Sequence, residues 1–309
     1  MVLEEVTTKD IEAAAHRIDQ HIRRTPVLEI GGAISDGYAA TLKLEHLQVT
    51  GSFKARGAFS VLTAIDIGDA GVVAASGGNF GIAVAYAAAR LGCRATIFVP
   101  GTSPAEKIEK IGVHGADVRV IDGYYDEARA ASEDFALATG AFQAHAYDQH
   151  EVVAGQGTIA REIEAQTRAD VVIAAVGGGG LIAGIASWMR DRAKVVAVEP
   201  ELCPGFHSAI DAGRPVEVDV SGVAASSLGA RSVGDHLWQA RQWIDDSVLV
   251  SDDDIIEAQR WLWSATRLVV EPAAATTIAA LRAGAYRPEQ DTNVVCVLSG
   301  GNLDPGSVV

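Results

Sequence analysis

The chain has 309 residues, 49% hydrophobic and 21% charged, enough apolar material for a large buried core in one large or two modest domains. Its formal net charge of −15, with no basic stripe carrying interleaved aromatics, argues against a nucleic-acid backbone or an anionic membrane surface as partner. Cys93, Cys203 and Cys296 are scattered without CxxC spacing and read as small apolar residues of a reducing, cytoplasmic compartment.

Along the chain, Met1-Val2-Leu3-Glu4-Glu5 is acidic and has none of the marks of a signal peptide. Thr7 ahead of Asp10 is a capping-box arrangement, so a helix is expected to start there. Thr50-Gly51-Ser52-Phe53-Lys54-Ala55-Arg56-Gly57 then places one lysine in a tight, partly apolar segment bounded by glycines. Burial would lower its pKa, and a neutral amine is the form that attacks a carbonyl. A lysine between Phe53 and Arg56 is also an ordinary helix-start cation, so Lys54 alone proves nothing.

Short β-branched runs follow, each leading into a helix-like segment. Residues 71–75 lead into 82–91, 95–99 into 105–111, 118–121 into 125–138, and 171–176 into 181–190. Residues 195–198 and 293–298 complete the set, and Ser251 before Asp252-Asp253-Asp254 marks another helix start. Near-continuous apolar strands alternating with helices imply α/β layers around mostly parallel sheets. The units near 71–121 and near 171–198 are expected in two different sheets. Val171 to Trp188 is uncharged, but Gly177 to Gly180 interrupt it, and at about 1 kcal/mol each they argue against a membrane-spanning helix.

Three glycine-rich turns accompany Lys54. Gly177-Gly178-Gly179-Gly180-Leu181 joins a strand to a helix start, where bare backbone and free N–H groups suit a phosphate. Close strand–helix contact is the plainer account of the same glycines. Gly178-x-Gly180-x-x-Ala183, with Glu199 ending the next strand, also fits a looser dinucleotide fingerprint, hence a nicotinamide-dependent oxidoreductase. That reading leaves Lys54 without work, and likewise Ser76-Gly77-Gly78-Asn79-Phe80-Gly81 and Ser299-Gly300-Gly301-Asn302. The latter two each follow an apolar strand, at the end where α/β proteins bind ligands.

Together these pieces resemble the fold-type II pyridoxal-phosphate enzymes, and within them the serine/threonine dehydratases and serine racemases. The likeness runs in order from Arg24 to Asp304 through 43–54, 154–158, 176–185, 198–200, 270–273 and 298–302. It implies a two-domain α/β fold like the tryptophan synthase β subunit, each domain a mostly parallel sheet flanked by helices. The larger domain would comprise 1–64 and 148–309, the smaller 65–147.

The resemblance further implies that Lys54 binds pyridoxal 5'-phosphate covalently and acts as the catalytic base. Gly177, Gly178, Gly179 and Gly180 with the Leu181 amide would take the cofactor phosphate, Asn79 its phenolic oxygen, and Ser299 would face its pyridine nitrogen. Backbone amides of Ser76, Gly77, Gly78, Asn79 and Phe80 would take the carboxylate of a small amino-acid substrate. The implied reaction is α,β-elimination from L-threonine or L-serine to a 2-oxo acid and ammonia, in a cytoplasmic homodimer. Serine racemisation on the same scaffold is the nearest alternative.

The chain departs from the family pattern in places. Racemases have a second-face serine where Gly77 stands, so racemisation is expected to be poor. Phe80 replaces a histidine common in that loop, and Tyr147 falls where dehydratases tend to have an aromatic, alongside the reading of a half-buried aromatic before a helix. Many relatives bind a divalent cation through the glutamate matching Glu199 and an aspartate six residues on. Gly205 stands there, leaving a thin oxygen set for a hard cation. His145, Asp148 and His150 read as turn residues, and Glu271 as either a helix-start carboxylate or a group beneath the cofactor. No regulatory domain is expected after Asp304.

Overall fold

Val72–Ala75, Ala95–Pro100 and Val171–Ala175 are buried at every position, as strands are when helices cover both faces of a sheet. The computed structural model describes residues 3–31, 34 and 39–308. Its strands are Val27–Glu29 (β1), Ala39–Lys43 (β2), Val72–Ala75 (β3), Ala95–Pro100 (β4), Asp117–Ile121 (β5), Phe142–Gln143 (β6), Val171–Ala175 (β7), Lys194–Pro200 (β8), Asp246–Val250 (β9) and Asn293–Val297 (β10). The first helices are Thr8–Ile18 (α1), Lys54–Ala64 (α2), Asn79–Leu91 (α3), Ala105–Gly112 (α4), Tyr125–Thr139 (α5) and His150–Gln166 (α6). Gly180–Met189 (α7), Gly205–Ala212 (α8), Ala225–Leu228 (α9), Asp235–Ala240 (α10), Asp252–Thr266 (α11) and Pro272–Arg282 (α12) follow. Both expected capping boxes form, Thr7 with Asp10 and Ser251 with Asp254.

The strands make two sheets. Six lie in the order β1-β2-β10-β7-β8-β9, parallel except for β1 against β2, and four in the order β5-β4-β3-β6, all parallel. In the larger sheet, Val172, Ala174, Val195 and Val295 pack under α1, α6 and α7, while Ile173, Val196, Val198 and Cys296 pack under α11 and α12. Alternate residues of one strand thus serve two cores, the period-two logic of a sheet. The smaller sheet packs Val72, Ala74, Ile97 and Val99 against α2 and α3, and Val73 and Phe98 against α5.

Helix α2 belongs to the junction. It packs on α6 and on α3, and glycines allow the first contact. A Cβ on Gly57 would lie 2.3 Å from Gln156 Nε2, and one on Gly155 2.6 Å from the Arg56 carbonyl. No helix among the described residues is long and apolar enough to cross a membrane. Cys203 and Cys296 are buried and Cys93 partly so, all as free thiols.

Candidate active site

A cavity of about 870 Å³ opens between the two sheets, lined by the turns after β3, β7 and β10, by the start of α2, and by Tyr147. The parallel strands deliver those turns on one side of each sheet, so three of the glycine-rich segments converge without being adjacent in sequence.

Lys54 is the first residue of α2, as the helix-start reading had it, yet it faces this cavity. Its segment is stitched to the far end of the chain: the Phe53 amide donates to the Ser299 carbonyl at 3.0 Å, and the Gly301 amide to the Gly51 carbonyl at 2.9 Å. Gly51 turns at φ 74, and a Cβ there would meet Asn302 Oδ1 at 2.6 Å. Lys54 Nζ donates to the Ala146 carbonyl at 2.7 Å, and its ammonium has no carboxylate contact among the described residues. Burial pushes its pKa down to about 8, so a useful share of the amine is neutral near pH 7.

Behind Lys54 the first turn of α2 is fixed by buried charges. Arg56 bonds both oxygens of Glu45 (2.8 Å each) and both of Glu162 (2.8 and 2.9 Å), and Lys43 Nζ reaches Glu162 at 2.6 Å. Two cations and two carboxylates balance, and removing one member would strand a buried charge at a cost of about 3–5 kcal/mol.

The Ser76–Phe80 turn differs from expectation in two ways. The Ser76 amide is consumed by the sheet, donating to the Phe98 carbonyl at 3.0 Å, and the Gly78 amide leans on Ser76 Oγ at 3.3 Å. Helix α3 begins at Asn79 rather than near Ile82, because Gly78 caps it without a side chain. The amides open to a ligand are therefore those of Gly77, Asn79 and Phe80. The Phe80 ring is buried, with Lys54 Nζ 5.8 Å from its centroid. Gly77 lacks a hydroxyl of its own, but a Cβ built there would lie 1.8 Å from Ser103 Oγ. Ser103, from the turn after β4, therefore packs directly against Gly77.

Gly177–Gly180 form a cradle that side chains would fill. A Cβ on Gly177 would meet Leu228 Cα at 3.0 Å, on Gly178 the Tyr147 ring at 2.4 Å, on Gly179 (φ 102) Leu237 at 2.3 Å, and on Gly180 the Tyr147 carbonyl at 2.6 Å. Helix α7 starts there with no side-chain cap, so its first amides, Leu181 among them, are free. Leu181 and Ser299 are both buried and both line the cavity.

Asn79 is held on both sides of its amide. Nδ2 donates to Glu271 Oε2 at 2.8 Å, and Oδ1 accepts from Asn302 Nδ2 at 2.8 Å. Glu271 is the N-cap of α12, as the helix-start reading had it, and its carboxylate also lines the cavity, joined to Lys107 Nζ at 3.4 Å. Lys107 and Ser103 have no signal in the sequence, because they reach the cavity from the turn and helix after β4 only through the fold.

Other expectations are corrected. Both oxygens of Glu199 are taken by backbone amides, Phe206 at 2.7 Å and His207 at 2.8 Å, capping α8. Burial raises its pKa to about 7 against those bonds. It does not line the cavity beside the glycine turn, where the dinucleotide reading would need it, and among the described residues no three His, Cys, Asp or Glu cluster together. Asp148 is no mere turn residue: it caps α10 through the Asp235 and His236 amides and accepts from His236 Nδ1 at 2.8 Å. His145 Nδ1 accepts from the Asp148 amide at 2.8 Å, and burial keeps the ring below its ordinary pKa. His150 opens α6. Tyr147 lies against the glycine cradle, its phenol raised by burial.

These residues fit pyridoxal phosphate. The uncapped α7 start with its side-chain-free cradle suits a phosphate dianion, a lysine with a lowered pKa suits an aldehyde, and the space between them is walled by Phe53, Tyr147 and Ser299.

Comparison with known proteins agrees. The family described as pyridoxal-phosphate dependent enzymes matches residues 18–300. The L-threonine ammonia-lyase of Geobacter sulfurreducens is 35% identical over 95% of this chain and 75% of its own length. The catabolic L-threonine dehydratase of Staphylococcus aureus is 34% identical over 97% and 90%. Among solved structures, maize serine racemase superposes with a TM-score of 0.93 at 29% identity, covering 99% of this chain and 96% of that one. A threonine deaminase from T.th. gives 0.89 at 34%, covering 96% and 99%.

Proposed function

The chain belongs to the pyridoxal-phosphate-dependent enzymes, and on that premise we propose that it is a serine/threonine ammonia-lyase, converting L-threonine to 2-oxobutyrate and ammonia or L-serine to pyruvate and ammonia. The observation that carries the reading is the 35% identity with a threonine ammonia-lyase over 95% of this chain; the convergence of Lys54, the glycine cradle and the Ser76 turn on one cavity supports it.

Lys54, Asn79, Gly177–Gly180, the Leu181 amide and Ser299 would hold the cofactor. When bound, pyridoxal phosphate supplies the electron sink that makes the α-hydrogen of an amino acid acidic. The protein's own groups do the rest. The Gly77, Asn79 and Phe80 amides, at the positive end of α3, fix the substrate carboxylate. The Lys54 amine, partly neutral through burial, takes the α-proton and holds it at Nζ. Glu271 and Asn302 fix the orientation of the Asn79 amide. The Ser299 hydroxyl cannot serve as a strong acid toward a ring nitrogen, which favours prompt loss of the β-hydroxyl over slower chemistry.

The reading includes two domains, 1–64 with 148–309 and 65–147, and a cytoplasmic homodimer. Purified protein incubated with L-threonine should form 2-oxobutyrate with equimolar ammonia and little inverted amino acid. A product mixture dominated by the D-amino acid would replace the lyase with a racemase. Light scattering at elution tests the dimer.

A further inference from the structure

Residue 77 is a glycine in a turn that faces bound substrate under the reading above, on which this inference rests. Its φ is not in the left-handed region, so backbone geometry does not demand glycine there. What demands it is Ser103: a Cβ on Gly77 would lie 1.8 Å from Ser103 Oγ, 2.7 Å from Ser103 Cβ and 3.1 Å from Val99 Cγ1. The neighbouring Gly78 is different, with only the Ser226 carbonyl at 3.7 Å.

Ser103 sits in the turn between β4 and α4. That turn is pinned by the Gly101 amide on the Ile121 carbonyl (2.8 Å) and the Ser103 amide on the Pro100 carbonyl (3.0 Å). The backbone fixes Cβ over Gly77 while the hydroxyl stays free to rotate. Among the described residues Ser103 Oγ has no hydrogen-bond partner, although it lines the cavity with Lys54 and Asn79. A serine at 77 would carry its oxygen about 1.4 Å from that Cβ by ordinary C–O bond length, so the two positions offer a hydroxyl to one small region.

We propose that Ser103 is a substrate-contacting residue, its hydroxyl donating to the carboxylate of the bound amino acid beside the Gly77 amide. Carboxylate is the partner the surroundings favour. The nearest amides, Gly77, Asn79 and Phe80, are all donors at the positive end of α3, and a hydroxyl without a protein acceptor completes a set of donors. A glycine at 77 and a serine at 103 are then one device in two pieces, and either piece changed alone spoils it.

The test uses cofactor-loaded protein and L-alanine, which has the carboxylate but no β-hydroxyl to eliminate, with ethylamine as the probe lacking a carboxylate. Binding is followed by the shift in cofactor absorbance, and Tm is recorded for each variant. Ser103→Ala should weaken L-alanine binding about tenfold, the size of one hydrogen bond to a charged group, and leave ethylamine binding and Tm unchanged. Ser103→Thr should keep most of the affinity. Gly77→Ser alone should weaken L-alanine through the collision, and Gly77→Ser with Ser103→Gly should restore it by returning the hydroxyl from the other side. L-Alanine binding equal in Ser103→Ala and wild type overturns the proposal, as does an equal loss for ethylamine. A wild-type protein that takes up no pyridoxal phosphate instead overturns the functional reading beneath it.

Discussion

Lys54 carries a quantitative expectation. Its pKa, lowered by burial from 10.5 to about 8, sets how much of the amine is available to react with an aldehyde. At pH 7 an exposed lysine is neutral in roughly three molecules per ten thousand, and one with a pKa near 8 in roughly one per ten, about a 300-fold gain. The sign is definite, because depressing a lysine pKa favours the neutral nucleophile. Protein stripped of cofactor should therefore take up pyridoxal phosphate at a rate that climbs tenfold per pH unit below pH 7 and levels off above pH 8. The uptake is read by absorbance, and borohydride reduction should fix the cofactor on Lys54 in the peptide map. Lys54→Ala should abolish the fixed adduct while leaving the thermal transition in place. A rate still climbing steeply at pH 9.5 would mean that Lys54 titrates as an exposed amine, and the reasoning from burial would fail. Label on another lysine would refute the assignment outright.

Two further perturbations test the scaffold. Gly180→Ala puts a methyl 2.6 Å from the Tyr147 carbonyl, where backbone cannot yield; it should cost about 1–3 kcal/mol and lower cofactor affinity by more than tenfold in an absorbance titration. Gly112→Ala, with nothing within 4 Å of the new atom, is the matched control and should leave both unchanged or slightly improved. Burial alone would raise the Asp148 carboxyl, but the His236 side chain and the His236 and Asp235 amides hold it at about 2. Its contribution, about 2 kcal/mol, is thus present above pH 4 and lost as pH falls toward 2. Asp148→Asn should remove that part of the acid-unfolding curve, and an unchanged curve would sink the account.

Much of the architecture is legible because strands buried on both faces leave uninterrupted apolar runs, as at 95–99 and 171–176. Residues 39–43, ending in a buried lysine, carry no such run, and β6 has only two residues, so neither announces itself. The start of α3 is hidden because a glycine cap has no side chain to read. Lys54 and the glycine cradle stand out locally. Ser103, Lys107 and the Asp148–His236 pair depend on approaches between distant segments, and no local pattern encodes those. Glu199 shows the opposite case: spacing alone suggests a ribose partner, while its two oxygens accept from the amides at the start of a helix.

The position of β10 bears on how the protein is made. This strand, near the end of the chain, lies in the middle of the larger sheet between β2 and β7, and the residues after it tie down the segment bearing Lys54. During synthesis the early strand and the late one cannot meet until residues past 300 have left the ribosome, so the larger sheet waits with an open gap at its centre. The smaller sheet, whose strands all fall between 72 and 143, has no such delay. A nascent chain therefore assembles the surroundings of Lys54 only late, after the smaller sheet can already have formed.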